Sequence, residues 1–366
     1  MDKDDDEMKL EDLIEEEDVV ITISHLGYIK RTAAEEYRAQ RRGGRGVIGG
    51  KTRDEDYIEH LFVASSHHTL LFFTEKGRCF WLNVWEIPEG EKTGKGRAIQ
   101  NLMQLPPDDK VRAIIDVKDL KDEEFVRSHS IVLCTKQGII KKTALEDFSR
   151  PRQSGVNAIT IVEGDELLQA RMTDGECEIM LAVQSGRAIR FSEEKVRATG
   201  RGAIGVAGIE VEGDNDCVIG MICVNPKLQA DRTVLVVSEK GYGKRTPIDE
   251  YRFTNRGGKG VKTINVTDKT GSLVGLLDVA GQEDIMITCK SGVTIRMPVA
   301  GISEQGRATQ GVKLIRLDEG DEIAAITNLD DQAEEETIVT EEINQSETGG
   351  EATSNADEAS SEINPE

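Results

Sequence analysis

The stretch Ile131-Val-Leu-Cys-Thr-Lys-Gln-Gly138-Ile-Ile-Lys-Lys142 decides the fold of this chain, because it is one copy of a repeated unit. An apolar run leads into a glycine-centred turn, and a basic strand follows, which predicts a β-hairpin. The hairpin signal occurs six times, with a period of roughly fifty residues. The copies are Gly27-Tyr-Ile-Lys-Arg31, Gly77-Arg-Cys-Phe-Trp81, Gly138-Ile-Ile-Lys-Lys142, Gly186-Arg-Ala-Ile-Arg190, Gly241-Tyr-Gly-Lys-Arg245 and Gly292-Val-Thr-Ile-Arg296.

A second glycine follows the hairpin glycine in every unit, at a spacing of 16 to 19 residues. We assign these second glycines as Gly46, Gly96, Gly155, Gly202, Gly260 and Gly311. Repeats of this length, with short apolar segments and regular turns, are typical of propeller blades rather than helical solenoids.

The sequence therefore predicts an all-β fold, a six-bladed propeller-like ring. We expect the apolar segment 321–326 to close the ring by completing the first blade beside Val19 to Ile23. Radial closure of this kind leaves only short, protected strand edges. The predicted organisation is an acidic linker over 1–18, the ring over 19–327 and a disordered acidic tail over 328–366.

The formal net charge of −22 opposes binding to a polyanion if it is spread evenly, but it is not. Residues 1–18 carry −9 and residues 328–366 carry −13, so the two ends account for the whole excess. Residues 19–327 hold 44 acidic and 44 basic side chains. What matters in this neutral body is where the basic residues stand.

The repeat sorts these charges. Four residues after each hairpin glycine stand Arg31, Trp81, Lys142, Arg190, Arg245 and Arg296. Immediately before the second glycines stand Arg45, Lys95, Ser154, Arg201, Lys259 and Gln310. Equivalent positions in a ring lie on one track, which predicts a circular basic stripe; ordinary solvated strand charges are the alternative interpretation.

The first unit contains the run Gln40-Arg-Arg-Gly-Gly-Arg-Gly46, and the fifth contains a near copy, Asn255-Arg-Gly-Gly-Lys-Gly260. Guanidinium groups interleaved with glycines combine positive charge with a backbone that can approach phosphates closely. A curved basic track without stacking aromatics is suited to double-stranded DNA held through its backbone and bent. The second and third units depart from this pattern, with Phe80–Trp81 and with Pro151 and Ser154.

At these residues the chain resembles the C-terminal domain of the DNA gyrase A subunit, over approximately residues 10 to 327. Gln40 to Gly46 is similar to the seven-residue gyrase box, within the similar context Val19 to Arg31 and Glu36 to Ala39. The resemblance implies a β-pinwheel, in which neighbouring blades exchange strands. It also implies that DNA wraps around the rim in one handed sense, which supports ATP-dependent negative supercoiling.

Combining the tracks with the resemblance, we predict a set of DNA-contacting residues and no catalytic or metal-binding ones. The set is Gln40, Arg41, Arg42, Gly43, Gly44, Arg45, Gly46, Lys30, Arg31, Lys95, Lys142, Arg190, Arg201, Lys244, Arg245, Arg256, Lys259 and Arg296. The partners implied by the resemblance are double-stranded DNA, the gyrase A catalytic core and the gyrase B subunit, in an A2B2 heterotetramer.

Catalytic machinery is not expected in this chain. Tyr28 and Tyr242, like Tyr37 and Tyr251, occupy paired repeat positions, which indicates packing rather than a cleavage nucleophile, and Tyr57 has no Arg-rich catalytic context. No Walker-type phosphate loop is present, so ATP and Mg²⁺ are expected elsewhere in the holoenzyme. We interpret the chain as a wrapping module, either a fragment of the subunit or a separately encoded version.

The six cysteines show no C-x-x-C pairing and the five histidines no metal-ligand spacing, which favours buried free thiols and no metal. The acidic amino terminus is unlike a signal peptide, and no apolar run approaches a membrane span, so a cytoplasmic, nucleoid-associated protein is expected. Two alternatives stay open: the equivalent domain of topoisomerase IV, which bends DNA with less wrapping, and a propeller that binds other proteins.

Overall fold

A computed structural model of the chain describes residues 13–33, 56, 58–91, 94–229, 231–291 and 293–329. The predicted acidic tail beyond residue 329, most of the predicted linker and the whole Gln40–Gly46 run lie outside the described residues. What is described is mainly antiparallel β-structure. Its strands are numbered here in chain order, and they fall into three classes.

The first class consists of six β-hairpins, one at each predicted hairpin glycine. Each hairpin consists of two antiparallel strands. The structure describes the turn glycine in five of them, and its φ lies between 82° and 89°. This left-handed backbone is the conformation that a turn of this type requires of its glycine. The hairpins are β1 Asp18–Ser24 with β2 Tyr28–Ala33, β4 Thr69–Thr74 with β5 Arg78–Asn83, β8 Ser130–Thr135 with β9 Ile139–Ala144, β12 Glu178–Val183 with β13 Arg187–Ser192, β16 Thr233–Ser238 with β17 Tyr242–Pro247, and β20 Asp284–Cys289 with β21 Thr294–Pro298.

The second class is an inner strand that pairs with the first strand of each hairpin. From the second sheet to the sixth, inner strands of neighbouring sheets contact one another, and the sixth contacts the first. A shared apolar core joins the first sheet to the second, so the six sheets are arranged around a centre. The six-bladed propeller-like fold is thereby confirmed. The inner strands are β3 Ile58–Ser65, β7 Val111–Val117, β11 Leu167–Thr173, β15 Val218–Val224, β19 Leu273–Val279 and β23 Ile323–Leu329.

The third class is a two-residue outer strand, and each one completes the sheet of the preceding unit. The outer strand β6 of the second unit pairs with β2 of the first, and this exchange repeats along the chain as the resemblance implies. Within the described residues the sixth sheet has three strands, β21, β20 and β23. The outer strands are β6 Arg97–Ala98, β10 Val156–Asn157, β14 Val206–Ala207, β18 Val261–Lys262 and β22 Val312–Lys313.

Two predictions about the repeat are wrong. The closing segment pairs with β20 as the inner strand of the sixth sheet, because the position beside β1 is already filled by β3. The second glycine of the fourth unit is Gly205, not Gly202. Gly205 has φ 103° and directly precedes outer strand β14, as Gly96, Gly155, Gly260 and Gly311 precede theirs.

Hydrophobic cores lie between neighbouring sheets, so the first strand of a hairpin is buried on both faces. Along β4, Leu70 and Phe72 pack toward the first sheet, whereas Leu71 and Phe73 pack toward the third. Phe73 meets Phe148 edge to face, with ring centroids 5.6 Å apart. Burial on both faces explains why these segments are continuous apolar runs instead of alternating patterns.

Short helical turns join the hairpins to the outer strands. Five 3-10 turns, Val84–Glu86, Leu145–Phe148, Glu193–Lys195, Ile248–Glu250 and Val299–Gly301, directly follow the second hairpin strands, and another, Ile99–Asn101, follows β6. An α-helix, Glu123–Ser128, is capped by the Asp122 carboxylate, which accepts hydrogen bonds from the amides of Glu124 and Phe125. Among the described residues no helix has the length and apolar character needed to cross a membrane.

The reassigned glycine can be tested by comparing Gly205→Ala with Gly202→Ala. A Cβ on Gly205 would lie 2.6 Å from the Ile140 carbonyl oxygen, on a backbone with positive φ, whereas one on Gly202 meets nothing within 4 Å. We expect Gly205→Ala to lower the free energy of unfolding by at least about 1–2 kcal/mol. Gly202→Ala should change it by less than about 0.5 kcal/mol in urea titrations. Equal losses in the two variants would contradict the reassignment.

Candidate nucleic-acid interface

The outer face of the fold is built from a loop that precedes each outer strand. We call the segments 89–96, 198–205, 253–260 and 304–311 the rim loops; the third unit has a shorter one at 149–155. Each rim loop begins beside the preceding hairpin, in parallel bridges such as Arg31 to Glu89 and Arg190 to Phe253. It ends at the second glycine, which lies against that same hairpin. The rim loop is thus fixed at both ends to the sheet before it.

The residues four positions after the hairpin glycine tie neighbouring units together. In five units the side chain donates to a backbone carbonyl of the next unit's 3-10 turn or the residue after it. Trp81 does this as well as the cations, through its indole N–H to the Phe148 carbonyl at 2.9 Å. The pairs are Arg31 to Ile87, Trp81 to Phe148, Lys142 to Glu193, Arg190 to Ile248 and Arg245 to Ile302. The predicted basic stripe is, at these positions, a set of connections between sheets.

Carboxylates neutralise several of the cations that lie four positions after the hairpin glycine. In the fourth unit Arg190 donates to Glu178 at 2.7 Å. In the sixth unit the equivalent pair is Arg296 and Asp284, which lie 2.5 Å apart. Lys142 lies 3.5 Å from the fully buried carboxylate of Glu193. The Arg296 side chain is about half exposed, whereas those of Lys142 and Arg190 are largely enclosed. Arg31, Lys142, Arg190 and Arg245 therefore already have partners within the fold.

Two of the predicted DNA contacts, Lys30 and Lys244, are not on the surface. Lys30 is 4% exposed and donates to the carbonyls of Glu91 and Gly94, each at 2.8 Å. Lys244 is 0% exposed and donates to three carbonyls of rim loop 304–311. Their ammonium groups point into the protein because the rim loop folds over them. The prediction that these two ammonium groups face DNA is therefore wrong; they support the rim loops from the inside.

Other predicted residues do lie on the outer face. Lys95 and Lys259 are exposed; the Lys95 ammonium lies 3.7 Å from the centre of the Tyr28 ring, and Lys259 pairs with Glu212 at 2.8 Å. Arg256 is half-buried and donates to the carbonyls of Lys195 and Ala207, which fixes its rim loop to the neighbouring unit. Arg201 is also half-buried, but it lies four residues before Gly205 and so corresponds to Arg256, not to Lys259.

A cleft brings four cations together between β13 and rim loop 253–260. Its lining includes Arg187, Arg190, Arg252 and Lys259, with Thr254, Asn255 and the two glycines Gly258 and Gly260. Arg252 and Lys259 are exposed at its edge, and Arg187 donates to the carbonyls of Lys259 and Gly260. A concave surface with several cations, hydroxyl and amide donors and glycine backbone is suited to an anion such as phosphate.

Two signals in the sequence were missed. Rim loops 198–205, 253–260 and 304–311 carry a basic residue four positions before the second glycine: Arg201, Arg256 and Arg307. The misassigned Gly202 concealed this position. Before the inner strands stand aspartates whose carboxylates accept from the amide of a hairpin turn, for example Asp109 from Lys76 and Asp165 from Gln137. The recurrence of Asp just before an apolar strand could have revealed this second connection.

The remaining polar groups of interest have structural roles. Asp174, Cys177 and Glu193 are close enough to share an ion, but Glu193 already accepts from Thr173 Oγ1 and the Cys177 amide, each at 2.8 Å. Tyr251 is buried with its hydroxyl against Thr263, and burial raises its pKa. All six cysteines are free thiols, four of them buried.

Burial of the lysines predicts a pH effect on stability. Burial lowers the pKa of Lys244 to about 8, whereas the unfolded side chain keeps a pKa near 10.4. Between these values the unfolded chain holds more protons, so the free energy of unfolding rises with pH. We expect wild type to gain stability over Lys244→Met as the pH is raised above about 8, measured by urea unfolding at several pH values. Lys262→Met, at an exposed lysine, is the matched control. If the free energy of unfolding of wild type and of Lys244→Met changes with pH in parallel, the lowered pKa of Lys244 is contradicted.

Known proteins share this architecture. The profile of a family described as "DNA gyrase C-terminal domain, beta-propeller" matches residues 18–65, 68–118, 129–174, 178–225, 232–280 and 283–330, one match per unit. The DNA gyrase A subunit of Staphylococcus aureus (strain NCTC 8325 / PS 47) is 44% identical over 333 residues, which is 91% of this chain and 37% of that protein. The chain thus spans a little over a third of the length of such relatives.

Solved structures agree with this comparison. A structure titled "Structure of DNA gyrase A C-terminal domain" superposes with a TM-score of 0.71 at 25% identity, covering 86% of this chain and 100% of that one. The crystal structure of the C-terminal domain of DNA topoisomerase IV also gives a TM-score of 0.71, at 22% identity, covering 90% and 99%. At that identity the second likeness shows the fold alone.

Proposed function

The chain belongs to the DNA gyrase C-terminal domain family, and from this premise we propose that it binds double-stranded DNA through the phosphate backbone and bends it around the rim loops. The observation that carries the proposal is the cleft in which Arg187, Arg252 and Lys259 lie around glycine backbone, beside the enclosed Arg190. Its cations face a groove lined by glycine backbone instead of a flat strand surface. Such a site holds phosphate without reading bases, so binding would be independent of sequence.

The rim loops supply the curvature that bending needs. Within the described residues they recur in the second, fourth, fifth and sixth units at equivalent places, and each is fixed by the preceding hairpin. Bending 20–30 bp by 40–90° costs on the order of 1–6 kcal/mol, which must be offset by contacts on several units. Lys95, Lys259 and the exposed Arg97, Lys262 and Lys313 of the outer strands are positioned to provide them. The contacts predicted at Gln40–Gly46 belong to the same proposal.

In the whole enzyme we infer that this wrap presents one DNA segment for passage through another, as part of gyrase A. Its partners would be the gyrase A catalytic core and the gyrase B subunit in an A2B2 assembly, with cleavage, ATP and Mg²⁺ supplied outside this chain. The enzyme would act in the bacterial cytoplasm on the nucleoid. The acidic ends, which together carry −22, are proposed to be a linker and a tail that competes with DNA for the rim.

The cleft is tested by the salt dependence of duplex binding. We expect Arg252→Ala/Lys259→Ala to weaken binding and to reduce the slope of log K against log salt by about 0.9 for each phosphate that the variant no longer neutralises. Arg127→Ala/Lys227→Ala removes the same charge from exposed positions outside the rim loops. Fluorescence anisotropy with a labelled duplex over a salt series gives both numbers. If the charge-matched control binds duplex as weakly as the cleft variant does, only the net charge of the protein matters and the cleft assignment is contradicted.

Wrapping is tested by topology. Wild type bound to relaxed circular plasmid, followed by a type I topoisomerase and removal of protein, should leave a linking difference. Replacing Arg41, Arg42 and Arg45 by Ala should reduce that difference, because fewer phosphates are held along the path. Tight binding without any linking difference would favour a topoisomerase IV-like bending role. A lack of salt-sensitive binding would favour the protein-binding platform.

A further inference from the structure

We propose that Lys30, Lys141 and Lys244 are positioning residues, each of which donates from a buried ammonium group to one or more backbone carbonyls of a rim loop and so holds the outward side of that loop in place for DNA. The proposal rests on the proposed function for its last step, the contact with DNA. Its first step, the support of the loop, stands on geometry alone.

The contacts of Lys244 show the arrangement most fully. Its Nζ donates to the carbonyls of Gly306, Arg307 and Thr309 at 2.6, 2.7 and 3.0 Å, and lies 3.1 Å from Thr309 Oγ1. An ammonium group has three N–H donors, so these four oxygens use its whole capacity. A buried charge is tolerated only when it is hydrogen-bonded in this way. The rim loop is therefore folded around the ammonium.

The other two lysines repeat this contact. Lys30 donates to Glu91 and Gly94 of rim loop 89–96. Lys141 is 1% exposed and donates to the carbonyls of Ala158 at 2.5 Å and Arg201 at 3.2 Å, so it joins rim loop 198–205 to the segment after β10. In each case a lysine on the hairpin of one unit holds the loop of the next.

The supporting position alternates around the fold. Three residues after the hairpin glycine stand lysines in the first, third and fifth units, but Phe80, Ile189 and Ile295 in the second, fourth and sixth. Phe80 lies directly under Gly155, where an added Cβ would be 2.7 Å from its ring, and Ile189 lies near Gly258. The structure thus uses two kinds of support: an apolar side chain beneath glycines, and an ammonium beneath carbonyls.

The supported loop carries groups that face outward. Arg307 donates through its side chain to the Lys262 carbonyl of outer strand β18, and its amide donates to Glu250 at 2.9 Å. The charged groups that act on Lys244 are Glu250 and Arg307. Removing the ammonium leaves three carbonyls on the inner side of the loop without this donor, and the loop is expected to open toward water to satisfy them. Arg307 would then lose its fixed position on the rim.

The test uses the full chain with Lys244→Ala and measures two properties. Hydrogen exchange of residues 304–311 should become faster while that of 253–260, which rests on Ile189, stays as in wild type. Duplex affinity at fixed ionic strength should fall about three- to tenfold, comparable to weakening one or two phosphate contacts. Propylammonium, which replaces the atoms removed, should restore both; tetramethylammonium at equal concentration, too large for the site, should restore neither.

Lys313→Ala is the matched control, since Lys313 is exposed on outer strand β22. It should weaken binding without changing loop exchange and without rescue by propylammonium. Unchanged exchange and affinity in Lys244→Ala would overturn the proposal, as would faster exchange with unchanged affinity. Wild type that fails to bind duplex in a salt-dependent way would overturn the proposed function, while the exchange data still judge the loop support. Should Lys244→Ala not fold, Lys244→Met keeps the side-chain volume and carries the same two comparisons.

Discussion

Every part of this structure depends on backbone pairing between consecutive units. Each described outer strand, from β6 to β22, hydrogen-bonds to the hairpin of the unit before it. The amides that begin four inner strands add a second connection, such as Val218 to the Lys136 carbonyl of the preceding turn at 2.8 Å. A unit cannot complete its own sheet. Removing a unit would therefore expose a strand edge on the preceding unit, and it would also expose the apolar faces that the two neighbouring sheets pack against it. Cooperative folding of the whole array follows from this sharing.

This sharing also determines which cations are available to a ligand. A side chain four residues after the hairpin glycine points at the next unit, and its first partner is a carbonyl there, whether it is Arg190 or the uncharged Trp81. The substitution of tryptophan at an equivalent position shows that donating a hydrogen bond, not charge, is the shared requirement. Cations that serve an external anion must then come mainly from other positions, such as the exposed Arg252 and Lys259 at the edge of the cleft and the exposed lysines of the outer strands.

The sequence predicted the six hairpins and the propeller-like ring, because glycine-centred turns and apolar runs are local signals. The exchange of strands between blades was implied only by the family resemblance. It misplaced Gly202, since Arg201–Gly202 imitates the basic residue and glycine of other units, whereas the true register is set by the positive φ of Gly205 beside the Ile140 carbonyl. Spacing gives a residue's face but not its depth, so Lys244 was predicted at the surface. The clue was available: the same position is phenylalanine or isoleucine in alternate units, which indicates burial.

A body with no net charge can bind a polyanion such as DNA only if its carboxylates are paired or lie away from the DNA-binding surface. The contacts between units pair or bury some of these carboxylates. Glu178 and Asp284 are occupied by Arg190 and Arg296 on the strands, and Glu193 is fully buried. On the rim, exposed carboxylates remain in the loops at Glu89, Glu91 and Glu304. Those of Glu210 and Glu212 lie beside Lys259. DNA entering the cleft must displace them from that lysine, and exposed pairs of this type contribute only about 0–1 kcal/mol. Their weakness lets a phosphate replace them, while the enclosed pairs keep the sheets joined.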